Sequence, residues 1–156
     1  MKRADAITLF ARLALGAAFL SGIASRFGWW GAGVGYGSWA NFVKYTAQVN
    51  AFMPAAAIPF LAVAATVAEL ALGVALVIGF RLRWTALASA ALLALFGVAM
   101  AISFGPKEPL DYSVFSACAA ALLLASRADD VRRSSGTGRR LGDGAVRARV
   151  GRDVDE

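Results

Sequence analysis

Apolar residues gather into four runs with short polar breaks between them, and the longest, 57–80, contains a single ionisable group, Glu69. A helix of that length extends about 36 Å at ~1.5 Å per residue, enough to cross a hydrocarbon core of about 30 Å. Pro54 and Pro59 stand at its start, where proline costs a helix little, and Arg81 and Arg83 mark its end. The run at 6–25, broken only by Arg12, and the uncharged run at 84–104 read the same way. A fourth run, 110–126, is shorter and is expected to span the membrane with its ends buried against its neighbours. With only Arg81, Leu82 and Arg83 between them, the second and third spans are expected to form a tight antiparallel hairpin.

The segments between the runs follow other patterns. Residues 26–41 alternate Gly28, Gly31, Gly33, Gly35 and Gly37 with Trp29, Trp30, Tyr36 and Trp39. No strand precedes this stretch and the G-x-G-x-x-G order is absent, so a phosphate-binding loop is excluded; tryptophan and tyrosine place it at headgroup level. From 39 to 53, Trp39, Phe42, Val43, Val49, Phe52 and Met53 recur at spacings near three and four, with Asn41, Lys44, Gln48 and Asn50 between them. That periodicity predicts an amphipathic helix, either capping the bundle at the interface or forming a lid over a small-molecule cavity. Residues 105–109, Gly-Pro-Lys-Glu-Pro, predict a turn. The expected fold is therefore all-α: a four-transmembrane-helix bundle with an extracytoplasmic interfacial helix over residues 1–126. An arginine-rich tail, 127–156, carries too few large apolar residues to offset the entropy of ordering and is expected to be disordered.

Composition agrees with this picture. Of 156 residues, 59% are hydrophobic and 17% charged, which is too apolar for an ordinary soluble domain. A secretory signal is the competing reading of the first run, but Arg12 lies inside it and no small-x-small cleavage site follows. The net charge of +6 comes from residues at segment ends and in the tail, a pattern that orients a chain in a bilayer and argues against nucleic-acid binding. By the positive-inside rule, Lys2, Arg3, Arg81, Arg83 and the tail share one side, so both termini are expected in the cytoplasm. Small residues at Ala14, Ala18 and Gly22, and at Ala90, Ala94, Gly97 and Ala101, would let helices approach closely.

The same inventory restricts the chemistry. Histidine is absent and Cys118 is the single cysteine, which removes histidine-ligated haem or zinc, dithiol exchange within one chain and any internal disulfide. No metal site and no intrinsic cofactor is expected. Cys118, in the apolar middle of the fourth run, reads as a packing residue. An ionisable group inside a span needs a partner or a purpose. Arg12 lies nine residues after Arg3, about 13 Å along a helix, and Glu69 twelve residues before Arg81, about 18 Å. Those similar depths predict an Arg12–Glu69 pair, which either fixes helix register or lines a cavity that binds a polar headgroup or relays protons. Asp111 is placed to cap the fourth helix and Tyr112 to anchor it at the interface.

Arg12 with Gly16, Phe19-Leu20-Ser21-Gly22-Ile23, Asn50 and Pro54, Glu69-Leu70 with Gly73 and Gly79, and Asp111-Tyr112-Ser113 occur in an order and spacing that resembles the DoxX family of small bacterial membrane proteins. The resemblance covers residues 8–126 and omits the tail. It implies a four-helix bundle in the bacterial cytoplasmic membrane. It also implies charged positions at Arg12 and Glu69, a polar position at Asp111, and Arg26 where many members carry lysine. The family is partly named for the membrane subunit of a thiosulfate:quinone oxidoreductase, and other members are associated with redox-stress complexes. The resemblance thus suggests the membrane component of a redox system, with quinone as its small molecule and a partner protein supplying electrons; catalysis by this chain does not follow from it. Two other readings stand beside it: a non-enzymatic scaffold or anchor that docks a partner through the tail or the Trp/Gly loop, and a small-molecule transporter that would need to homo-oligomerise. Arg12 and Glu69 are the leading site residues, and Arg26, Asn50, Asp111 and Tyr112 the secondary ones.

Overall fold

The computed structural model describes residues 3–31 and 33–128, and all regular structure in them is helical. α1 is Arg3–Arg26, α2 Trp39–Val49, α3 Ile58–Ile78, α4 Leu82–Phe104 and α5 Lys107–Asp111, and a last helix, α6, is Val114–Ala128. One turn of 3-10 helix, Ala55–Ala57, leads into α3, with Pro59 at its first positions as the sequence anticipates. Among the described residues, three helices are long and apolar enough to cross a membrane: Asp5–Arg26, Ala55–Ile78 and Leu82–Phe104. α6 is apolar but shorter. Large apolar side chains point outward from all of them, including Phe10, Phe60, Val67, Leu95 and Leu123. Such surfaces suit lipid contact, and the chain is a helical membrane protein. The tail expected after residue 126 lies outside the described residues from 129 onward; Arg127 and Ala128 continue α6.

Lipid tails are as apolar as leucine, so helices in a membrane associate through close packing rather than through burial from water. The closest packing joins α1 to α3. A Cβ added to Gly16 would lie 2.8 Å from Val77 Cγ2 and 3.0 Å from the Gly73 carbonyl, and one added to Gly73 would meet Leu20 and Phe19. Gly22 faces the Glu69 carboxylate in the same antiparallel seam. Of the small residues expected to allow close approach, Gly22 lies in this seam while Ala14 and Ala18 are exposed; Gly16 is the other small residue of the contact. Leu15 and Phe19 of α1, Leu76 of α3, Ala86 and Ala90 of α4, and Ala121, Leu124 and Ala125 of α6 form one core. Gly97 admits the Phe115 ring, and the Cys118 thiol donates to the Ala90 carbonyl at 3.3 Å, a packing role for that sulfur.

The turn between α3 and α4 is tight, as its three-residue length requires. Gly79 (φ +77°) takes the left-handed conformation, and its N–H donates back to the Ala75 and Leu76 carbonyls; Arg81 (φ +38°) follows in the same region. At the other end the structure departs from expectation. Residues 107–111 form a helical turn rather than an open turn, because Pro106 occupies the cap and Pro109 an early position whose N–H has no intrahelical partner anyway. Asp111 ends that turn and pairs with Lys107, so it does not cap α6; Ser113 precedes α6 and its carbonyl accepts from Ala117 N–H.

Candidate functional site

Glu69 lies midway along α3 and is 5% exposed. Its partner is Arg26, the last residue of α1, whose Nη2 donates to Oε1 at 2.5 Å. Helical side chains slant toward the N-terminus of their own helix. In antiparallel α1 and α3 that slant carries Arg26 inward along the bundle and Glu69 outward, and the two meet. Arg26 Nη1 donates to Thr66 Oγ1 at 2.8 Å, one turn before Glu69 on the same face, and the Thr66 hydroxyl donates to the Ala62 carbonyl. The Phe42 ring of α2 covers the guanidinium with its centroid 3.9 Å from Cζ. Arg26 is 3% exposed, and its Nε is buried without a hydrogen-bond partner.

The Arg12–Glu69 pair expected from matched depths is not formed. Equal depth from Arg3 and from Arg81 would require α1 and α3 to end level with one another. Gly16 instead packs against Gly73 and Val77, and the Arg12 guanidinium lies against Gly79, so α1 runs past the end of α3 by most of its first nine residues. Arg12 belongs to the Arg81 end of the bundle and Arg26 supplies the charge for Glu69. Thr66 and Phe42 were missed as members of this site. Thr66 was detectable as the polar residue three positions before Glu69, on one helix face.

A lid of aromatic side chains closes the Arg26 end. Ser38 caps α2, its Oγ accepting from Asn41 N–H at 3.2 Å, and α2 is held to α4 by the Ser103 hydroxyl, which donates to the Val49 carbonyl at 2.6 Å. The Gly-rich segment folds back over α1: Tyr36 N–H donates to Ser25 Oγ at 2.8 Å, a Cβ on Gly28 would lie 2.7 Å from the Gly37 carbonyl oxygen, and both glycines have left-handed backbone. Tyr36 meets Phe42 edge-on at 5.0 Å and Tyr45 at 5.3 Å. Burial, with Tyr45 beside it, pushes the Tyr36 phenol up to about 12, and burial also raises Tyr45. Asn50 caps α2 and donates to the Thr46 carbonyl at 2.9 Å; Tyr112 is exposed, on the far side of Tyr45.

Beside this lid an apolar groove of about 330 Å³ opens to the outside of α3. Phe27 and Trp39, stacked at 6.1 Å, form one wall, Val63 and Val67 the other, and Thr66 is its polar point. The groove and the buried Arg26 therefore share Thr66. This arrangement suits a flat apolar molecule, with ring faces to flank it; Arg26 lies behind Thr66 and is not part of the groove wall. Among the described residues, no group of three His, Cys, Asp or Glu side chains could hold a metal ion. Comparison with protein-family models, curated proteins and solved structures finds no match to this chain.

Proposed function

We propose that this chain is a DoxX-like protein of the bacterial cytoplasmic membrane that crosses it four times, with α6 as the fourth span and α2 lying along the outer surface. In this reading it is the membrane component of a quinone-linked redox system, and its site is Arg26, Glu69 and Thr66 with the groove beside them. The observation that carries the reading is an apolar groove walled by Phe27 and Trp39 that shares Thr66 with the buried Arg26, whose Nε has no hydrogen-bond partner. Buried donors without acceptors are uncommon in folded proteins, and a carbonyl oxygen of a bound quinone would complete this one.

The residues divide the work. Phe27 and Trp39 flank a ring entering from the membrane, Arg26 donates to its carbonyl oxygen, and Glu69 with Thr66 holds the guanidinium in place. A quinone bound there supplies two-electron, two-proton chemistry that the side chains of this chain lack. Electrons come from a partner protein in this scheme.

The test is binding of a short-chain ubiquinone or menaquinone analogue to the full chain in lipid nanodiscs. Saturable binding that weakens about tenfold in Thr66→Val, with thermal stability kept, supports the site. Absence of saturable binding, with a partner protein still co-purifying, transfers the function to the scaffold reading.

A further inference from the structure

The opposite end of the bundle holds a larger cavity, of about 730 Å³, within the range of small-molecule pockets (about 300–1,000 Å³). Arg12 of α1, Arg81 and Arg83 of the α3–α4 turn and Arg127 of α6 line it, with Asp5 as the one carboxylate and Trp84 at its edge. Four arginines from three separate parts of the fold thus line one space, with Asp5 the one carboxylate among the described residues that line it. Like charges collected in this way repel one another unless an anion sits among them. Two further features favour an anion. Arg12 Nε is buried without a hydrogen-bond partner, the only described side-chain nitrogen in that condition besides Arg26 Nε. The 23-residue helix α4 begins at this cavity and turns the positive end of its dipole toward it.

We propose that this cavity is a phosphate-binding site, occupied by the headgroup of an anionic phospholipid or by a free phosphate. Arg12 is its inner anchor. Gly79 makes room for that anchor, since a Cβ there would overlap the Arg12 guanidinium. Arg81, Arg83 and Arg127 surround the mouth, and the exposed apolar side chains of Ile7 and Phe10 on the same end of α1 offer a track for acyl chains. Guanidinium groups suit phosphate because their paired N–H donors match its oxygens.

The experiment titrates the full chain in a neutral detergent with short-chain phosphatidylglycerol, with short-chain phosphatidylcholine, and with inorganic phosphate, reading bound ligand by phosphorus NMR. Saturable binding of phosphatidylglycerol that falls about tenfold in Arg12→Gln and in Arg127→Gln is expected, with Lys44→Gln, an exposed lysine at the other end, unchanged. Competition by inorganic phosphate at similar concentration identifies a free phosphate as the ligand; binding confined to the lipid identifies the headgroup. Arg127 is exposed at the end of α6, so its variant keeps the test valid should Arg12→Gln fail to fold. No saturable binding of either anion, equal binding of phosphatidylcholine, or equal loss in Lys44→Gln overturns the proposal.

Discussion

Arg26 and Glu69 stand 43 residues apart in the chain and meet at 2.5 Å, each almost wholly buried, with Thr66 and the Phe42 ring completing the enclosure of the guanidinium. Removing one member leaves an uncompensated polar or charged group in an apolar bundle. Arg26→Met and Glu69→Met, made singly, are each expected to cost roughly 3–5 kcal/mol. The double variant should recover most of that loss, because it leaves no buried charge. Equilibrium unfolding of the four proteins in detergent measures the coupling. Arg12→Met combined with Glu69→Met should show no such recovery.

The α1–α3 seam makes a prediction of its own. Gly16 has no space for a side chain against Val77 and the Gly73 carbonyl, so Gly16→Val should destabilise the bundle by about 1–3 kcal/mol. Ala18→Val, on the exposed face of the same helix, should change stability by less than about 0.5 kcal/mol. Equal losses in the two variants would contradict this seam and restore the Ala14–Ala18 face as the contact.

Gly79 supports the turn and the Arg12 side chain together. Gly79→Ala places a Cβ in the left-handed conformation and on the guanidinium, and is expected to cost at least about 1–2 kcal/mol by thermal or chemical unfolding. Gly33→Ala, which meets open space and has no left-handed backbone, is the matched comparison and should be close to neutral.

Tyr36 sets a pH dependence at high pH. Its folded-state value, pushed up to about 12 by burial, exceeds the ordinary tyrosine value of about 10, so the folded state holds the phenolic proton more tightly than the unfolded one. The associated stability is fully present below about pH 10 and is lost as pH rises toward 12. Tyr36→Phe should remove this part of the alkaline loss, and ultraviolet titration of phenolate in the folded protein should lose its highest-pH step.

The helices were legible because their signals are local. Continuous apolar length marks α1, α3 and α4, the three-and-four spacing from Trp39 to Val49 marks α2, and the Arg81-Leu82-Arg83 break marks the hairpin. Glu69 stood out because a carboxylate in an apolar run is costly. Its partner did not, because stagger between two helices depends on which small residues meet, and Gly16, rather than Ala14 or Ala18, decides it. The lid was illegible for a different reason. Residues 28–37 have no period, and their fold rests on left-handed glycines and on a hydrogen bond from Tyr36 to Ser25, eleven residues away.

The most direct measurement is the infrared carbonyl stretch of a carbon-13-labelled quinone analogue bound to the full chain. A hydrogen bond from Arg26 should lower that frequency relative to the analogue in lipid alone, and the shift should vanish in the Arg26→Met/Glu69→Met double variant, which leaves no buried charge. A bound analogue whose carbonyl frequency is the same in both proteins would contradict the assignment of Arg26 as the group that holds it.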